Sequence, residues 1–148
     1  KPVANSQFVE DMARVSPDGH LVAFVTQETG ADEVYVQPFP GPGARLQVSI
    51  HGGGEPLWSR NGKRLFYRDQ QSLLAADIRT DGGVLSVGSR QIIFADNFLR
   101  RSLPHANYDI SGDGKKFLFL RATSEPQAIV AYNWMAEVRA KLAAAEAK

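Results

Sequence analysis

Short apolar runs alternate with turn-forming clusters along most of the chain. In "LVAFVT", residues 21–26, both alternating sets are largely apolar, the pattern of a strand covered on both faces. "EVYV", "LFY" and "FLF" have the same character. Read between their bounding Gly, Pro, Asp and Asn clusters, these runs predict three groups of strands. The first is 12–15, 21–26, 32–37 and 44–49; the second is 55–58, 63–68, 72–78 and 90–95; the third is 106–110, 116–121 and 127–133. "PFPGPG", residues 38–43, is a connector, because proline has no N–H for a central ladder. "TDGG", residues 80–83, reads as a turn. The pattern changes at 135–148, "MAEVRAKLAAAEAK", where Met135, Val138 and Leu142 share one face of a predicted C-terminal helix.

The turns repeat. "SPDGHLVAF", "SRNGKRLFY" and "SGDGKKFLF" share a serine, a glycine three residues later and an apolar strand after it. Pro17 pre-sets a turn, Asp18, Asn61 and Asp113 bond the local backbone, and Gly19, Gly62 and Gly114 accept positive φ. The glycines are 43 and 52 residues apart, and "ADNFLRRSLPH", residues 95–105, accounts for the longer step as an insertion. A period in the forties with about four short strands per unit is the signature of β-propeller blades.

These residues resemble a known family. The run from "NSQFVEDMARVSPDGHLVAFVT" to "EPLWSRNGKRLFYRD", and the close "YDISGDGKKFLFL" with "AIVAYNW", resemble the TolB-like, WD-repeat-like propeller repeats of bacterial proteins. The resemblance covers nearly all of residues 5–142. Some relatives lie behind serine/threonine kinase domains and others precede peptidase domains. Neither activity carries over, because the chain has no Gly-rich ATP loop, no His-Arg-Asp catalytic loop and no G-x-S-x-G nucleophile elbow.

The expected architecture is therefore all-β. It is a partial β-propeller of about three four-stranded blades in a single domain, 1–148, with the short helix at its end. Blade 1 covers about 9–51, blade 2 about 52–96 and blade 3 about 105–134. Three blades leave an apolar face open at each end of the arc. Propellers in this resemblance group usually have six blades or more, so a homodimer is expected to complete a six-bladed ring. The stretch "PVANSQ", residues 2–7, is the candidate outer strand lent to blade 3 of the partner chain. The other reading is a fragment of a longer chain that is stable as an open arc.

Composition narrows the function. The 148 residues carry 17 Lys and Arg against 16 Asp and Glu, a net charge of +1, so no general attraction to nucleic acid is implied. No apolar run is long enough to span a membrane and no signal peptide is visible in this chain, which leaves the compartment open. The chain begins Lys1-Pro2 without a methionine, so further sequence upstream is expected. With no cysteine there is no disulfide and no thiol chemistry.

Chemistry rests on few residues. Of the three histidines, His51 and His105 lie in links between units, and His20 lies in a turn that opens on the other face. Aligning the units sets Glu55 against Asn107 and Leu57 against Asp109. His51, Glu55 and His105 are the candidate ligands of a divalent metal, zinc or calcium, at a channel mouth, with Glu55 or Asp109 as the catalytic general base. The competing reading makes them solvated loop residues beside a wet channel. "HGGG", residues 51–54, is a link that needs positive φ. Arg100 and Arg101 with Lys115 and Lys116 form a solvated basic face. Trp58, Phe66, Tyr67, Phe117 and Phe119 are expected in the inter-blade core, with Tyr35, Phe39 and Trp134 partly exposed. Two function classes follow: a non-enzymatic binding or scaffold module for a peptide, glycan, small molecule or protein partner, and a metal-assisted hydrolase of esterase, lactonase or phosphotriesterase type.

Overall fold

A computed structural model describes residues 7–95, 106–121 and 127–132. The predicted helix 135–148, residues 2–6 of the candidate outer strand 2–7, residues 96–105 of the insertion, and Trp134 lie outside them. The described residues contain strands and turns and no helix. Three antiparallel sheets follow one another along the chain. The first is β1 (Glu10–Val15), β2 (Leu21–Thr26), β3 (Glu33–Pro38) and β4 (Leu46–Gln47), in that order. The second is β5 (Gly54–Trp58), β6 (Arg64–Arg68), β7 (Ser72–Asp81) and β8 (Val84–Ala95). The third is β9 (Tyr108–Ile110), β10 (Lys116–Arg121) and β11 (Gln127–Tyr132).

The repeated turn is the same device three times. In the first sheet Gly19 N–H donates to Ser16 O at 2.9 Å, Leu21 N–H to Ser16 Oγ at 2.9 Å, and His20 N–H to Asp18 Oδ1 at 3.1 Å. Ser59, Asn61, Gly62 and Arg64 repeat this set, as do Ser111, Asp113, Gly114 and Lys116. The glycines have φ of 76°, 67° and 70°, a region costly for any residue with a Cβ. The hydroxyl of Ser16 holds the Asp18 carboxyl below its usual pKa, and Ser111 does the same for Asp113.

Three strands depart most from the sequence expectation. The fourth strand of the first sheet is only Leu46–Gln47. Val48 N–H and Ser49 N–H both donate to Val34 O, while Ser49 Oγ accepts from Val34 N–H, so the regular ladder stops. In the second sheet, β7 and β8 extend beyond 72–78 and 90–95 to meet at Gly82 and Gly83, whose φ values are 57° and 82°. That is the left-handed pair a two-residue hairpin turn requires.

Alternation along each strand gives every sheet a forward face, turned to the next sheet, and a backward face. Leu21, Ala23 and Val25 on the forward face of the first sheet pack with Leu65, Tyr67, Trp58, Ala76 and Ile78 of the second. Phe66 and Ala75 on the forward face of the second pack with Tyr108, Phe117 and Phe119 of the third. The rings of Phe66 and Phe117 meet edge to face at 5.2 Å. Burying each such side chain contributes about 1.5–3 kcal/mol, so the two seams are the core. Polar latches cross the first seam: Trp58 Nε1–H donates to Arg14 O at 2.9 Å, and Arg90 Nε–H to Val48 O at 2.6 Å. Tyr67, buried in the first seam, has its phenol pushed up to about 12 by desolvation. Tyr35, expected to be partly exposed, is buried on the backward face of the first sheet with Val22 and Phe24, under half-buried Phe39.

Candidate functional site

Glu55 lies at a bulge. The register of β5 with β6 shifts between Gly54 and Leu57, and Glu55 takes a left-handed φ of 54°. β1 has the same irregularity between Asp11 and Arg14, with Met12 at φ 51°. A bulge re-aims a side chain, and the Glu55 carboxylate is buried in the second seam. Both its oxygens lie 3.2 Å from one guanidinium nitrogen of Arg68, and Oε2 accepts the N–H of Asn107 at 2.6 Å. Tyr108 O–H donates to Glu55 O at 2.9 Å. The Arg68 guanidinium lies about 6 Å from the ring centres of Tyr108 and Phe119, at 6.0 and 5.9 Å. Glu55 and Asn107, equivalent positions of successive units in the sequence, meet through the Asn107 backbone N–H inside a seam.

The other predicted site residues are apart from it. His51 is exposed in the link to β5 at φ 69°, beside Gly52, whose N–H donates to Glu33 Oε1 at 2.8 Å. That buried Glu33 also accepts the hydroxyl of Ser49, so the "HGGG" link is fixed by a carboxylate the sequence reading missed. His105 lies outside the described residues. Asp109 is exposed on β9 and accepts the N–H of Ile110 at 2.7 Å. Among the described residues no three His, Cys, Asp or Glu side chains group so as to hold a metal ion.

Asp109 belongs to a different feature. It pairs with Leu118 across β9 and β10, so both share the forward face of the third sheet with Leu120. Leu118 and Leu120 are 41% and 42% exposed, whereas Phe117 and Phe119, which alternate with them, are buried. A shallow pocket of about 220 Å³ opens there, lined by Ala106, Asn107, Asp109, Leu118 and Leu120 among others. The equivalent faces of the first two sheets are covered by the next sheet. Arg68 had a signal in the sequence: it stands six residues past its turn glycine, where Val25 and Leu120 are apolar. A charge in that column calls for a buried counter-charge.

No protein-family model and no curated protein matches the chain. Solved structures do. The chain is similar to TolB from Acinetobacter baumannii with a TM-score of 0.60 and 16% identity, over 90% of this chain and 32% of that one. It also matches a candidate 6-phosphogluconolactonase from Bacteroides uniformis with a TM-score of 0.47 and 17% identity, over 82% of this chain and 40% of that one. The chain thus spans about a third of the length of TolB and shares its fold over that length. No helix among the described residues is long and apolar enough to cross a membrane.

Proposed function

We propose that the chain is a non-enzymatic binding module, an arc of three propeller blades that docks a protein partner on the forward face of its third blade. The observation that carries this reading is the exposure of Leu118 and Leu120 on the face that, in the two preceding sheets, is buried against a neighbour. The occupant is a protein surface with the apolar character of a blade's backward face. A second copy of the chain, adding three more blades, is one such partner. The open edge of β11 adds to this: β3 and β7 each have an outer neighbour, and β11 has none among the described residues.

Binding is favoured over metal-assisted hydrolysis by the condition of Glu55. Its carboxylate is engaged by Arg68 and Asn107 in a seam, which leaves little of it for a metal or a water. The test is metal analysis of the purified protein, with an esterase, lactonase and phosphotriester screen with and without chelator. The expected result is no stoichiometric metal and no turnover. A bound zinc or calcium ion, with hydrolysis that falls on chelation and on His51→Ala, contradicts the reading.

A further inference from the structure

Two phenylalanines at equivalent places carry an arginine on the ring. Phe24 and Phe119 each stand five residues past a turn glycine, on the backward face of their sheets. Over Phe119 lies Arg68 of the preceding sheet, held by Glu55. Phe24 has no preceding sheet among the described residues, yet it is only 3% exposed. The guanidinium of Arg45 stands 4.9 Å from its ring centre and 5.6 Å from that of Tyr35. Arg45 Nη2 lies 3.0 Å from Glu10 and 3.6 Å from Glu28. Among the described residues, Arg45 and Glu10 thus stand at Phe24 as Arg68 and Glu55 stand at Phe119.

We infer that Arg45 is a displaceable cap that gates docking of a second copy of this chain. Within the chain, forward faces pack on backward faces twice, so the two remaining ends belong to the same series. When Arg45 withdraws, Leu120 of a second copy takes its place over Phe24, as Arg68 does over Phe119. Two such contacts, related by a two-fold axis, close two arcs into one ring. One polar group of the cap is unsatisfied: Arg45 Nε is buried and has no hydrogen-bond partner among the described residues, and nor has Thr26 Oγ1, which the register sets beside Glu10. The inference rests on the reading of Leu118 and Leu120 as a docking face, and adds the surface they meet and what controls access to it.

The test is light scattering over a dilution series of the wild-type chain, Arg45→Ala, and Arg45→Ala with Leu120→Asp. The wild type is expected at the 16.2 kDa mass of one chain, the single variant at twice that mass, and the double variant back at one. Circular dichroism and a cooperative melt establish that each is folded. A wild type already dimeric, an Arg45→Ala protein that stays monomeric, or a dimer that survives Leu120→Asp overturns the gate. If Arg45→Ala does not fold, Glu10→Gln with Glu28→Gln releases the same arginine, and the same outcomes apply. The gate can fail while Leu118 still contacts another protein in the wild type, so this result is separable from the docking reading.

Discussion

Glu55 and Arg68 form a buried ion pair between the second and third sheets, with one guanidinium nitrogen 3.2 Å from both carboxylate oxygens. The pair ties the bulge of β5 to the end of β6 and, through Asn107, to the start of the third sheet. Removing one partner leaves the other charged and buried. Glu55→Ala and Arg68→Ala are each expected to destabilise the fold by about 3–5 kcal/mol. The double variant should cost less than the sum. Urea melts measure all three, and an unchanged midpoint in Glu55→Ala would mean the carboxylate is not held in the seam.

The turn glycines differ from most core positions in that their cost is conformational. At Gly19 and Gly114 an added Cβ meets no atom within 4 Å, and at Gly62 the nearest is Pro17 at 3.7 Å. Replacing each with Val should destabilise by about 1–3 kcal/mol through the positive φ alone. Asn, which tolerates that region, should cost less. Thermal melts of the six variants check this; Val and Asn costing the same would point to packing instead.

Much of the fold was legible because its signal is local. The Ser-x-x-Gly turns specify their own hydrogen bonds, and the strands after them carry apolar residues on both faces, so 21–26 and 63–68 were placed within a residue. The seams were legible too, since Phe66, Phe117 and Phe119 sit where alternation puts them. What was not legible depends on contacts between distant segments. Sequence spacing groups Glu55 with His51 and His105 as a ligand, but its charge partner Arg68 lies on the adjacent strand, and the bulge turns the carboxylate toward it. Arg45 lies in the expected strand 44–49, but the strand forms only over Leu46–Gln47, so alternation does not point it at Phe24. The short β4 reflects a choice by Ser49 between ladder and side-chain bonding that pattern alone does not decide.

The turn carboxyls give a pH signature. Hydrogen bonds from Ser16 and Ser111 lower Asp18 and Asp113 below the usual 3.8. A lowered folded value means the contribution to stability is present above 3.8 and is lost as pH falls through the folded value. Both groups are exposed, so the effect is read best as titration. NMR should place both midpoints below 3.8, and Ser16→Ala should move Asp18 upward while leaving Asp113 in place. An unmoved Asp18 midpoint would separate the serine from the shift.

Tyr67 supplies the alkaline counterpart. Burial raises its phenol from 10.0 to about 12, so the unfolded state ionises first. Its contribution to stability is full below pH 10 and is lost as pH rises toward 12. Spectrophotometric titration of the folded protein should show a late step from Tyr67, well after the exposed reference value. Loss of that late step in Tyr67→Phe assigns it, and its persistence there would assign it to another tyrosine.

Leu118 is expected to face a partner protein. The direct measurement is site-specific photo-crosslinking in the full chain within cells. A photoreactive residue at position 118 is compared with one at Val84, which is 68% exposed at the tip of the β7–β8 hairpin. Adducts to one defined protein at 118, absent at 84 and abolished by Leu120→Asp, are the predicted result. Equal labelling at both positions, or none at 118 in a folded protein, would contradict the claim that this face is where the chain binds.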